Sequence, residues 1–155
     1  KNNLLLQNGR DYSSKQSFIY HFMSGAYTDM GLPEEGFELK DSKIEDGMVI
    51  TNWNIKSNAR QDFANFTVEL VHENRLPIYM GFSNDGQVVS KTYYAQYEVF
   101  GDVRIPLKIV EINYSNGGND STITQKKYSN VKLNEEVDLT YLNFKVPGDA
   151  NIVKQ

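Results

Sequence analysis

The residues best suited to acid–base or metal chemistry are too scattered in this chain to form a recognisable catalytic site. The two histidines, His21 and His72, fall in different segments, where a lone histidine usually has a packing role. Six carboxylates lie between Glu34 and Asp46, without the ligand register of a calcium loop. The sequence contains no GxSxG, HExxH or glycine-rich phosphate motif. We therefore predict a protein that is not an enzyme and that holds neither a metal nor a cofactor.

Aromatic residues are the most distinctive feature of the composition. The chain has ten tyrosines, eight phenylalanines and one tryptophan, Trp53. A tyrosine combines apolar area with a polar tip, which suits the wall of a ligand cavity or the rim of an interface. Strands are also rich in aromatic residues for reasons of packing alone. The composition leaves both interpretations open.

Length, charge and cysteine content exclude several classes of protein. A chain of 155 residues is predicted to form one domain, over residues 1–155. The absence of cysteine excludes disulfides, thiolate zinc sites and cysteine nucleophiles. A net charge of −4 disfavours nucleic acid as a partner, and no apolar run is long enough for a transmembrane segment. The chain begins at Lys1 rather than at methionine, which we interpret as a mature or N-terminally truncated sequence.

One helix is predicted, over residues 14–29. Ser13 and Gln16 form a capping-box pattern at its start. The apolar residues that follow recur at spacings of three and four, which places them on one helical face: Ile19, Phe22, Met23, Ala26 and Met30. We expect Gly31 and Pro33 to end the helix.

From Phe37 onward the hydrophobic period changes to two, which is typical of strands. Turn residues separate the candidate strands, and connections this short join antiparallel neighbours. The predicted strands are 37–45, 48–55, 64–73, 76–83, 87–100, 103–115, 121–133 and 139–146. We predict an α+β, mainly β fold, in which a curved antiparallel sheet or unclosed β-barrel of about eight strands has the helix packed across one face.

A proline interrupts one of the most apolar of these strands, at position 106. Proline has no N–H to give to a ladder, so sheets confine it to edges, strand starts and bulges. An exposed apolar edge invites aggregation, so such an edge needs an occupant. We predict that Pro106 lies at an edge or a bulge and that the apolar residues around it line an occupied space.

Several short motifs follow one another over about residues 76–153. They are Leu76-Pro77, the turn Asp85-Gly86-Gln87-Val88, an aromatic strand through Tyr93 and Tyr97, Ile105-Pro106 with Lys108 and Ile109, the segment 128–134, and Phe144-Lys145-Val146-Pro147 with Ala150. In this order they resemble the C-terminal half of the LolA-like superfamily, the bacterial outer-membrane lipoprotein carriers and their envelope relatives. The resemblance implies an unclosed β-barrel lidded by helices, with a hydrophobic cavity for acyl chains. It also implies a location in the bacterial periplasm or at the periplasmic face of the outer membrane.

The resemblance and the alternation of the strands together predict a ligand site. Alternation places Tyr93 and Tyr97 on one face, and neighbouring strands and the helix complete the wall. The predicted ligand-binding residues are Tyr93, Tyr97, Met80, Phe82, Ile105, Leu107, Phe22 and Met23. The expected partner is a lipid, or the acyl chains of a lipoprotein, inserted by its apolar end. In the alternative, these side chains pack against each other as core, and the domain binds an envelope protein through an outer face.

Overall fold

The computed structural model describes residues 3–5, 18–56, 65–132 and 151–153. In chain order the elements are the strand Asn3–Leu5 (β1), the helix Phe18–Met23 (α1), and the strands Phe37–Glu45 (β2), Met48–Ile55 (β3), Phe66–Glu73 (β4), Leu76–Asn84 (β5), Gln87–Phe100 (β6), Val103–Ser115 (β7), Asp120–Lys127 (β8) and Asn151–Val153 (β9). Strands β1 and β9 pair in parallel as a separate two-stranded sheet.

Strands β2 to β8 form one seven-stranded meander, in which each strand pairs antiparallel with the next. Within the described residues β2 and β8 are the two edges, so the sheet is unclosed. The predicted fold class, a mainly β, antiparallel α+β fold with one helix, is confirmed. The predicted strand at 139–146 and the predicted helix start at 14–17 lie outside the described residues.

Turn residues set the boundaries of the strands. Asp46-Gly47 and Asp85-Gly86 have positive φ at both positions, as type I′ hairpins require. Such turns match the right-handed twist of the strands that they join. The predicted strands 37–45, 48–55, 87–100 and 103–115 agree with the structure residue for residue. The predicted strand 121–133 is too long, because β8 ends at Lys127.

The helix is shorter than predicted, since α1 ends at Met23 rather than at residue 29. The N–H of Gly25 bonds to the carbonyl of Phe22 at 3.2 Å, and the φ of Gly25 is 70°. A glycine in this left-handed conformation is a common end of a helix. Gly25 is therefore the stop signal, and the expectation that Gly31 and Pro33 end the helix was wrong. No helix in the described part of the chain has the length and apolar character needed to cross a membrane.

The core lies between one face of the sheet and the chain segment that contains α1. This face carries Trp53, Met80 and Tyr94, all of which are buried, and we call it the helix face. The opposite face carries Tyr79 and Tyr93, which pair across β5 and β6, and we call it the tyrosine face. Residues adjacent in a strand point to opposite faces, so β5 contributes side chains to both.

Pro106 is buried at the point where β7 loses its second neighbour. It lies opposite Tyr97 of β6, but the ladder between β7 and β8 begins at Lys108. One further bond on that side joins the N–H of Tyr128 to the carbonyl of Leu107 at 2.9 Å. Within the described residues this end of β7 is a local edge, where a residue without an N–H disrupts no ladder. Among the described residues, Pro106 therefore lies at an edge of the sheet, as predicted.

Candidate functional site

Phe22 fills the space between α1 and the sheet. Its side chain is fully buried, and its ring centroid lies 5.5 Å from that of Tyr94 and 6.0 Å from those of Tyr97 and Tyr27. The hydroxyl of Tyr97 donates to the carbonyl of Pro77, and burial raises the pKa of Tyr97 above its ordinary value. The centre of the predicted cavity is thus packed by the protein's own side chains.

A groove remains beside this packed centre, and we call it the helix-side groove. Its volume is about 330 Å³, near the lower end of the range for small-molecule sites. It is lined by His21, Met30, Leu32, Glu35, Phe37, Met80 and Phe82. Most of these residues are apolar, and two of them, Met80 and Phe82, belong to the predicted ligand wall. Glu35 is exposed to solvent, which places a carboxylate at the mouth of the groove.

The segment between α1 and β2 forms one wall of the helix-side groove. His72 is buried in β4, and its Nε2 lies 3.1 Å from the carbonyl oxygen of Tyr27. Because a carbonyl oxygen only accepts, the imidazole donates this bond and pins the segment to the sheet. The imidazole of His21 packs on Gly31, where a Cβ atom would collide with the ring. The hydrogen bond from His72 holds this wall to the sheet, and the packing of His21 on Gly31 holds it to α1.

Met80 and Phe82 form the floor of the groove. They are two residues apart in β5, so their side chains share the helix face. Met80 is 3% exposed, and the Phe82 ring packs edge-to-face on Phe37 with centroids 6.4 Å apart. Phe82 is half-buried and is thus the more accessible of the two. A ligand in the groove would meet an aromatic and thioether surface.

Tyr93 and Tyr97 do not share a face, so the grouping predicted from alternation was wrong. Tyr93 packs on Tyr79 of the tyrosine face, with ring centroids 5.2 Å apart. Tyr97 contacts Phe22 on the helix face. Between them Gln96 has a φ of 57°, which breaks the regular alternation inside β6. A glutamine rarely adopts this conformation, so the sequence carries no signal for the change.

The other predicted wall residues lie in the core or at the surface. Ile105 is 2% exposed and belongs to the hydrophobic core. Leu107 is half-buried in β7. Met23 is 50% exposed, because the buried position of α1 is Phe22. The structure therefore divides the predicted site into a packed core, an aromatic surface around Tyr93, and the helix-side groove.

A second groove, of about 370 Å³, crosses the tyrosine face and was not anticipated from the sequence. We call it the tyrosine-face groove. Its lining is mainly polar: Lys40, Asp41, Asn52, Asn54, Thr67, Val68, Glu69, Tyr79, Gly81, Ser83 and Val88. The signal that could have found it is the polar alternation of β3 and β4, where Asn52 and Asn54 face Glu69 and Thr67.

The described residues contain no group of three or more histidine, cysteine, aspartate or glutamate side chains placed to hold a metal ion. Together the elements define a mainly β domain, with one unclosed antiparallel sheet and a short helix on one face. Comparison with protein-family models, characterised proteins and solved structures finds no significant match.

Proposed function

We propose that this protein is a non-enzymatic binding module of the bacterial cell envelope, which takes the apolar end of a lipid or of a lipoprotein acyl chain into the helix-side groove. One observation carries the proposal: a groove of about 330 Å³ with a largely apolar lining opens on the helix face of an unclosed sheet. The motif order that resembles the LolA-like superfamily supports the choice of a lipid and of the periplasm or the periplasmic face of the outer membrane.

Burial of methylene groups supplies the affinity in this proposal. Each methylene removed from water contributes about 0.8 kcal/mol, so a chain end of about six methylenes gains about 5 kcal/mol before the cost of association. The polar head of the ligand stays at the mouth, beside His21 and Glu35, because burial of an unpaired polar group costs free energy. We therefore expect reversible binding that strengthens with chain length.

Uptake of a fluorescent fatty-acid probe tests the proposal. Phe82→Asp places a carboxylate in the floor of the groove, and we expect it to abolish uptake. Ile123→Asp is the matched control, because Ile123 is 66% exposed in β8 and does not line the groove. Near-UV circular dichroism verifies that both variants keep the native packing. The lipid proposal is refuted if the wild-type protein takes up no probe, or if the two variants bind it equally well.

Native mass spectrometry of the freshly purified protein provides a second measurement. A lipid that remains bound through gentle purification adds a discrete mass to the protein. The added mass should disappear in Phe82→Asp and persist in Ile123→Asp. A ligand mass that both variants retain would place the lipid elsewhere on the protein.

A protein-interaction domain of the envelope is the second candidate, and the packing of Phe22 favours it. The fully buried Phe22 ring occupies the centre of the space in which a carrier would hold its cargo. In this case the helix-side groove is a gap at the margin of a filled core, and an outer face docks to an envelope partner. Failure of the probe to bind wild-type protein supports this candidate over the first.

A further inference from the structure

The tyrosine-face groove has a floor of polar side chains in two neighbouring cross-strand rows. Pairing across β2 to β5 places the first row side by side: Asp41, Asn52, Glu69 and Gly81. The second row contains Asn54, Thr67 and Ser83. Because hydrogen-bonded strands hold both rows, the polar groups have fixed spacings, as a binding site requires.

The side chains of this floor both donate and accept hydrogen bonds. Amides and hydroxyls such as those of Asn54, Thr67 and Ser83 provide both functions, and carboxylates provide strong acceptors. The Nδ2 atom of Asn52 donates to Oδ1 of Asp41 at 2.7 Å, which orients both groups. Oδ2 of Asp41 and Oδ1 of Asn52 are further acceptors, to which a ligand can donate hydrogen bonds. A ligand that matches this floor must itself carry several groups that donate as well as accept.

The charges of the lining are nearly balanced. Asp41 and Glu69 contribute two carboxylates, and Lys40 contributes one ammonium group. A phosphate or another anion would meet a net negative site, which disfavours it. A neutral polar ligand is not penalised in this way, and the carboxylates strengthen hydrogen bonds to its hydroxyl groups.

An aromatic ring forms one wall of the groove. Tyr79 lies over Gly81, where a Cβ atom would collide with the tyrosine hydroxyl. Its ring also packs on Tyr93, which is 41% exposed beside the groove. The site therefore sets an apolar ring beside a floor of amides, hydroxyls and carboxylates. A sugar ring is complementary to this site, since it presents hydroxyl groups at its edge and C–H groups on its face.

We propose that the tyrosine-face groove binds a neutral saccharide. Hydroxyl groups of the sugar bond to the two polar rows, and its C–H face packs on Tyr79. The volume of about 370 Å³ is within the range of small-molecule sites. This site is on the opposite face from the helix-side groove, so it stands or falls independently of the lipid proposal.

Titration of the isotope-labelled protein with maltotetraose, cellotetraose and tetra-N-acetylchitotetraose, followed by NMR, tests the proposal. We expect at least one of these neutral tetrasaccharides to shift amide signals of β3, β4 and β5. Asn54→Ala removes an amide, and Glu69→Gln replaces a charged acceptor oxygen with an amide donor, so each should weaken binding about two- to ten-fold. Gln125→Ala is the matched control, because Gln125 is an exposed amide on β8 that does not line the groove.

Three results overturn the proposal. The first is that none of the tetrasaccharides shifts the groove signals at millimolar concentration. The second is that binding is the same in Asn54→Ala, Glu69→Gln and Gln125→Ala. The third is that the serine- and glycine-rich tetrapeptide Ser-Gly-Ser-Gly binds in the groove more tightly than any of the saccharides, which would assign it to an extended polypeptide.

Discussion

Replacement of Phe22 with alanine measures how firmly α1 is held to the sheet. The side chain is fully buried and packs on three tyrosine rings. Truncation of a buried phenylalanine to alanine costs about 3–5 kcal/mol, a range that already includes the loss of its ring contacts. We therefore expect a loss of about 4 kcal/mol in the free energy of unfolding. Domains have about 5–15 kcal/mol in total, so the variant should be close to the limit of folding.

Urea unfolding followed by the fluorescence of Trp53 is the assay, because this single tryptophan is buried in the same core. Met23→Ala is the control within the same helix. Met23 is 50% exposed, so its truncation should change the free energy of unfolding by less than about 0.5 kcal/mol. A loss below about 1 kcal/mol for Phe22→Ala, or equal losses for the two variants, would contradict the packing described for α1.

Three further predictions concern backbone and ionisation. Gly81→Ala should displace the Tyr79 ring and lower the free energy of unfolding in urea by about 1–3 kcal/mol. This loss should be smaller when Tyr79 is also replaced with alanine, and equal losses with and without Tyr79 would disprove the contact between Tyr79 and Gly81. Gly25→Ala should cost about 1–2 kcal/mol, since φ at this position is 70° and no side chain crowds it; an unchanged urea midpoint would argue against the left-handed helix end. Burial raises the pKa of Tyr94 and of Tyr97, so these tyrosines ionise at lower pH in the unfolded chain than in the folded protein. The free energy of unfolding should therefore be at its full value below about pH 10 and should fall as the pH rises further. A urea midpoint that stays constant between about pH 9 and about pH 11 would contradict this.

The positions of the strands could be predicted from the sequence because the turns between them contain residue types that favour turn conformations. Asp46-Gly47 and Asp85-Gly86 are dipeptides that adopt positive φ at low cost, and the strands beside them were predicted to within two residues. Pro106 was equally informative, since a missing N–H has one physical consequence wherever it occurs. At these turns and at Pro106, the covalent structure of the residue itself determines the local backbone structure.

The ligand wall was harder to predict because it depends on where a strand departs from regular geometry. Gln96 adopts a left-handed conformation, although this position has neither the glycine nor the asparagine that would indicate it in the sequence. This irregularity places Tyr93 and Tyr97 on opposite faces of the sheet. Whether Phe22 lines a cavity or fills it depends on how close α1 approaches the sheet. That distance follows from packing between residues far apart in the chain, which periodicity does not encode.

The meander order of the sheet has a consequence for how the protein reaches its native state. Each ladder from β2 to β8 joins strands that are neighbours in the chain, so no pairing in this sheet must wait for a distant segment to arrive. Folding rates fall as the mean sequence separation of contacts rises, and Greek-key sandwiches must close much longer loops. We expect this sheet to assemble hairpin by hairpin and to fold faster than a sandwich of the same size. During synthesis, each new strand from β3 to β8 can pair with the strand before it, which has already been synthesised.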